Sequence, residues 1–256
     1  MASRDDTVVE VSDLSIGWGD SVLLEHITFS VARGEVFAIL GGSGAGKSTL
    51  LRYLIGLEQP RAGSIDVAGR GPPDLDDGMP PFGVMFQGGA LFGSMSVVDN
   101  VALPLVEWAR LDLAAARAVA TAKLRLVGLD AAAAKLPSEL SGGMKKRAAI
   151  ARALAVDPPI VFLDEPSAGL DPITAAELDD LITTLARAMK LTVVLVTHEL
   201  ESIYRVARRC VLLDKDAKGV IAEGAPKELR DSDDARVRAF FRREPRSAVA
   251  RREEAR

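Results

Sequence analysis

Apolar and polar positions alternate between residues 8 and 31. Val9-Glu10-Val11 and then Ile27-Thr28-Phe29-Ser30-Val31 place every second side chain on one face. A period of two with β-branched residues predicts half-buried, antiparallel strands. The pattern changes at Val36-Phe37-Ala38-Ile39-Leu40, a continuous apolar run of the kind a strand shows when both faces are covered. Glycines follow, and then Lys47-Ser48-Thr49-Leu50-Leu51, which reads as a helix. Two more buried strands are predicted, Ile160 to Leu163 and Thr192 to Val196, with a helix between them from about Pro172 to Met189. Residues 69–81 hold four Pro and three Gly and read as a loop, while 112–135 are rich in Ala, Leu, Lys and Arg and read as helical, broken at Gly128. Strands alternating with helices imply a parallel sheet with right-handed crossovers. The helical middle of the chain is expected to form a subdomain packed on that sheet.

The glycines after the first buried strand form Gly41-Gly42-Ser43-Gly44-Ala45-Gly46-Lys47-Ser48, followed by Thr49, and match the pattern G-x-x-x-x-G-K-[ST]. Glycine lets a backbone wrap closely around phosphate with its N–H groups turned inward, and the helix that follows offers its positive end to an anion. In this reading Lys47 reaches the β- and γ-phosphates and the Ser48 hydroxyl ligates Mg²⁺. Farther on, Ile160-Val161-Phe162-Leu163 delivers Asp164 and Glu165 to the carboxyl end of a buried strand, where open α/β sheets bind ligands. Asp164 suits the magnesium shell of a P-loop enzyme, and Glu165 suits a general base that polarises the attacking water. A nucleoside triphosphate with Mg²⁺ is the expected ligand.

Composition narrows the rest. The 256 residues are 48% apolar and 27% charged, with a single cysteine, Cys210, so no internal disulfide is expected. Residues 1–6 lack the apolar run of a signal peptide, and no uncharged apolar stretch is long enough to span a bilayer. A cytoplasmic location is expected. From residue 236 to 256 eight arginines face three glutamates, giving +5 there and −9 elsewhere in a chain of net charge −4. An acidic body makes nucleic acid an unexpected partner, whereas the basic tail suits anionic lipid or an acidic partner.

Leu140-Ser141-Gly142-Gly143-Met144, lying between the phosphate loop and the acid pair, resembles the signature motif of ABC ATPases. Gln87 resembles that family's Q-loop, Ser167-Ala168-Gly169-Leu170-Asp171 its D-loop, His198 its switch histidine, and Trp18-Gly19 its adenine-stacking aromatic. The resemblance covers roughly residues 8–229. It implies ATP as that triphosphate, and a P-loop NTPase (RecA-like) parallel core with an antiparallel β subdomain and an inserted helical signature subdomain at about 95–157. The cassette would run from 7 to 230, with a basic extension at 231–256. It also implies a homodimer in which Ser141, Gly142 and Gly143 face the γ-phosphate held by the other copy, Ser141 being a good N-cap for a helix over 142–155. Gln87 would contact metal and water, and His198 would bond the γ-phosphate. His26 reads as structural. Met144 stands where the signature usually ends in Gln, an apolar thioether in place of an amide.

The segments Phe86-Gln87-Gly88-Gly89-Ala90-Leu91-Phe92 and Met95-Ser96-Val97-Val98-Asp99-Asn100-Val101, with Lys145-Lys146-Arg147 after the signature, resemble the Mla/Mce branch of lipid-transport ATPases. That likeness implies an MlaE-like integral membrane permease, an MCE-domain lipid carrier, a STAS-domain regulator and a place on the inner face of the cell membrane. The alternatives are the ATPase of a polar-nutrient importer and a non-transport ABC protein. The latter is disfavoured because no long heptad insertion or second cassette interrupts the chain. Ala90-Leu91-Phe92 is expected to serve both the core and a groove for a permease helix. A short helix over 233–241 is expected to present Val237, Phe240 and Phe241 to a partner cassette or regulator.

Overall fold

The structure, a computed structural model, describes residues 6–244 apart from 75 and 77. A three-stranded antiparallel sheet joins β1 (Thr7–Trp18), β2 (Ser21–Ala32) and β4 (Ala62–Val67) in the order β2-β1-β4. The second sheet has the order β5-β6-β7-β3-β8-β9, formed by β3 (Val36–Gly41), β5 (Phe82–Met85), β6 (Ile160–Asp164), β7 (Thr192–Val196), β8 (Arg209–Asp214) and β9 (Gly219–Gly224). All its pairings are parallel except the last, β8 with β9. The helices are α1 (Lys47–Leu54), α2 (Val97–Glu107), α3 (Leu113–Leu126), α4 (Gly142–Ala153), α5 (Pro172–Met189), α6 (Leu200–Val206), α7 (Pro226–Leu229) and α8 (Ala235–Phe241).

The parallel strands are apolar throughout because each serves two cores. Phe37, Ile39, Phe162, Val194 and Val196 pack with α1 and the antiparallel sheet. Their neighbours Ala38, Leu40, Val161, Leu163, Val193 and Leu195 pack with α2 to α6. Burying a side chain of this size stabilises by roughly 1.5–3 kcal/mol, so a sheet filled on both sides is the rigid part of the molecule. The helical middle is capped at its starts: Ser96, Asp112 and Ser141 each accept a backbone N–H through their side chains. The chain turns after α3 at Gly128, whose φ of 71° lies in the left-handed region that glycine tolerates.

One expectation needs correction. The aromatic pair of α8 is not offered to a partner: Val237 and Phe241 are buried in this chain's own core, Phe240 is half-buried against it, and Tyr204 packs on Phe241 with ring centroids 6.2 Å apart. The helical spacing of 237 and 241 turns both inward. Of the Ala90-Leu91-Phe92 segment, the core role is met by one residue. Leu91 packs on the core, and Phe92 is 52% exposed with its backbone held by the buried side chain of Asn100. Most of the basic tail lies outside the described residues. Among those that are described, no helix is long and apolar enough to cross a membrane.

Candidate functional site

Four adjacent parallel strands, β5, β6, β7 and β3, end side by side, and each end carries residues singled out in the sequence. Gln87 follows β5, Asp164 closes β6 with Glu165 next to it, Thr197 and His198 follow β7, and Gly41 to Ser48 leave β3 into α1. Parallel strands put all their carboxyl ends on one edge, so residues more than a hundred positions apart are brought together by topology alone.

The phosphate loop is shaped for a ligand that fills space. Gly44 and Gly46 have φ of 75° and 87°, and a Cβ placed on Gly42 or Gly44 would meet nothing within 4 Å. Packing therefore does not require glycine at 42 and 44; the left-handed φ of Gly44 favours it there, and the open space at both leaves the backbone accessible. Lys47 Nζ donates to the Gly41 and Gly42 carbonyls at 3.0 and 3.2 Å. Burial pulls its pKa down, against the charges of Glu165 and Asp164. Ser48 Oγ donates to Asp164 Oδ1 at 3.1 Å. Burial raises the pKa of Asp164, partly offset by that hydrogen bond.

Glu165 is buried, and its carboxylate is gripped from two sides. His198 Nδ1 lies 2.7 Å from Oε1, and the Thr197 hydroxyl donates to Oε2 at 3.0 Å. Its backbone has φ 45°, uncommon for a residue with a side chain. The peptide is held there by Glu165 N donating to Val196 O at 2.8 Å, while the Glu165 carbonyl accepts from Ala168 N at 3.2 Å and from Lys146 Nζ at 3.0 Å. The ring of His198 is half-exposed, with Nε2 3.8 Å from Glu199. His26, by contrast, sits on the surface with Nδ1 2.7 Å from Asp13 Oδ1.

Ser141 caps α4 by accepting from Met144 N at 3.3 Å, and Ser141 and Gly142 are exposed. Gly143 is buried, where a Cβ would come within 2.6 Å of Thr174 Cγ2 on α5. Met144 is half-buried against the core rather than turned to the phosphate loop. Trp18 is 52% exposed at the end of β1, with Nε1 donating to Glu58 at 3.2 Å. Its neighbour Gly17 accepts from the Tyr53 hydroxyl of α1 at 3.0 Å, which ties this aromatic to the helix that the phosphate loop opens.

Reading the chain gave no site role to Lys146, named only within the Lys145-Lys146-Arg147 run, and did not single out Arg152. Lys146 Nζ donates to the carbonyls of Gln87 and Glu165, and the Arg152 guanidinium donates to those of Ala90 and Gly89 at 2.6 and 2.8 Å. The available signal was spacing, since 143, 146 and 150 fall on one stripe of α4 and the other two are buried. An apolar groove of about 230 Å³ lies next to the Gln87 segment, lined by Leu57, Met79, Phe86, Pro104, Trp108 and Val156 among others.

Residues 24–168 match the ABC transporter family. The chain is 39% identical over 245 residues to the intermembrane phospholipid transport system ATP-binding protein MlaF of Haemophilus influenzae, covering 94% of this chain and 92% of that one. It is 39% identical over 240 residues to the Escherichia coli K12 protein of the same name, covering 91% and 88%. It is 40% identical over 238 residues to the Mycobacterium tuberculosis H37Rv "Probable ribonucleotide transport ATP-binding protein mkl", covering 91% of this chain and 66% of that one. Among solved structures, cbiO1 from Clostridium perfringens, part of an ABC transporter complex, superposes with a TM-score of 0.78 at 30% identity, covering 93% and 96%. The ATP-binding cassette MJ0796, solved as a dimer in a post-hydrolysis state with ADP and Pi, superposes with a TM-score of 0.74 at 31% identity, covering 85% and 98%.

Proposed function

The chain belongs to the ABC transporter ATPase family, and from that premise we propose that it powers the movement of phospholipid between membranes by hydrolysing ATP in a pair of identical copies on the inner face of a membrane. The observation that carries the reading is the grip on Glu165, set beside the Ser48–Asp164 pair at the ends of neighbouring strands. Each carboxylate oxygen of Glu165 uses one acceptor site on His198 or Thr197 and keeps another for water. Glu165 is the general base that takes the proton of the attacking water, and its neighbours fix the direction of that transfer. His198 steadies the carboxylate through Nδ1 and offers its exposed ring edge to the γ-phosphate. Gln87 orients water from the next strand end.

The Ser48 and Asp164 oxygens are the hard donors Mg²⁺ prefers. In this reading Mg²⁺ would be held largely by substrate phosphate, with Ser48 and Asp164 as its protein ligands. When bound, Mg²⁺ neutralises charge on the β- and γ-phosphate oxygens. Lys47 and the loop N–H groups seat the triphosphate, Trp18 stacks on adenine, and Ser141, Gly142 and Gly143 meet the γ-phosphate of the opposite copy.

An MlaE-like permease helix seats in the groove at Phe86 and Trp108, and a STAS-domain regulator and an MCE-domain lipid carrier complete the assembly. The names of the MlaF relatives support phospholipid as cargo, whereas the mycobacterial relative's name favours a ribonucleotide. Vesicles containing the chain co-purified with its membrane partner decide between them. MgATP should drive transfer of a fluorescent phospholipid, and Glu165→Gln should still bind ATP but hydrolyse it ~10² to 10⁴-fold more slowly. ATP-driven uptake of labelled ribonucleotide with no phospholipid transfer would overturn the lipid reading.

A further inference from the structure

Lys146 sits on the buried face of α4, only 8% exposed, in a helix whose other inward positions are Gly, Ala and Ile. A buried ammonium is costly unless its donors are satisfied, and an unbranched apolar side chain would fill the same space without that cost. Its pKa is drawn down by burial, with Glu165 and Asp164 acting in the other direction. Among the described residues it makes no ion pair; its partners are two backbone carbonyls, Glu165 O at 3.0 Å and Gln87 O at 2.5 Å. They belong to two different strand ends, and both neighbourhoods contain left-handed backbone, Glu165 at φ 45° on one side and Gly89 and Ala90 at 77° and 47° on the other. Arg152, less than two turns further along α4, holds the Gly89 and Ala90 carbonyls. Segment 87–90 is therefore bound to α4 at two points, and Lys146 alone of the two cations also reaches Glu165.

We propose that Lys146 is a positioning residue for hydrolysis, fixing the Glu165 backbone and the Gln87 segment to α4 so that the aim of the Glu165 carboxylate depends on where that helix sits. The helix carries Ser141 to Gly143 at its exposed end, so its seating on an opposite copy is transmitted through Lys146 to the base. Removing the link frees the left-handed Glu165 peptide to relax. The carboxylate then points elsewhere while the phosphate loop, on another strand, is untouched. This rests on the reading of Glu165 as the general base.

The experiment compares the full chain with Lys146→Met, Lys146→Arg and Glu165→Gln for kcat, KM for MgATP, affinity for a fluorescent ATP analogue and amide hydrogen exchange. A misplacement of about 1 Å at a reacting group costs on the order of 10²-fold in rate. Lys146→Met should therefore lose roughly that much kcat with KM and analogue affinity unchanged, the pattern of an interaction realised only in the transition state. Exchange should rise at residues 87–90 and 165–168 and stay unchanged in the phosphate loop. Lys146→Arg, which keeps donors for both carbonyls, should recover most of the rate. A Lys146→Met variant that retains the parental kcat, one that loses rate and nucleotide affinity together, or a Lys146→Arg variant as slow as Lys146→Met would each overturn the inference. Should Glu165→Gln hydrolyse ATP at the parental rate, the reading of Glu165 fails instead, whatever Lys146→Met does.

Discussion

Two buried aspartates show how similar burial can serve opposite ends. Asp164 and Asp179 are both buried and both have their pKa raised chiefly by desolvation. For Asp164 the Ser48 hydrogen bond on Oδ1 and the charges of Lys47 and Lys146 oppose that rise, while the charge of Glu165 adds to it. Asp179, 3% exposed on α5, leaves Oδ1 without a partner. A carboxyl whose folded pKa lies above its unfolded value binds more protons folded than unfolded, so its contribution falls as pH rises through that interval and is least favourable at neutral pH. Asp179→Asn keeps the shape and removes the charge. It should stabilise by about 1 kcal/mol at pH 7, raising Tm by ~2–4 °C in a chain this size, and the gain should shrink as pH drops toward the unfolded Asp value. A variant melting at or below the parental temperature at pH 7 would refute this. At this scale the sequence revealed residue types but not settings. Lys146 lies in the run Lys145-Lys146-Arg147, which entered only as part of a family resemblance, and nothing local to Asp164-Glu165-Pro166 signals a left-handed glutamate, because tertiary bonds from Val196 and Lys146 hold it.

Elements were legible where burial is two-sided. β3, β6 and β7 are unbroken apolar runs because the two cores use alternate residues of each, and α5 carries Asp171 as N-cap and Pro172 in its first turn. β5, β8 and β9 were not read from the chain: β5 has four residues including a glycine, and β8 and β9 form the antiparallel edge, where the apolar signal is diluted by Arg209 and Glu223. The same reading treats Gly143 as an anion-site glycine, while the packing gives it a second reason. An added Cβ would sit 2.6 Å from Thr174 Cγ2, closer than real contacts allow. Ala is favoured over Gly in a helix by up to about 1 kcal/mol, yet overpacking costs about 1–3 kcal/mol. Gly143→Ala should therefore lower Tm on balance and shift α4 relative to α5. Adding Thr174→Ser, which removes the methyl, should restore it. If the double variant melted no higher than Gly143→Ala alone, the helix contact would not be the cause.

For the molecule as a whole, the phosphate loop and the signature lie on different parts of one chain, and Ser141 and Gly142 are left exposed. A cap whose donors and helix end face solvent is suited to an anion brought by another body. The solved dimer of MJ0796, at 31% identity, makes a second cassette the natural candidate. A twofold dimer that shares its sites makes a prediction no single-chain site can reproduce. A chain with Lys47→Ala cannot seat a triphosphate but still offers its own signature, and a chain with Ser141→Arg seats the triphosphate but blocks its neighbour's. Each variant alone should be inactive. Mixed in equal amounts, half of the dimers pair one of each, and each such dimer holds one site with Lys47 from one copy and Ser141 from the other. ATPase activity should then return to about a quarter of the parental rate, and it should scale with the product of the two concentrations. If each site lay within one chain, mixing would restore nothing, because no single chain in the mixture carries both residues intact.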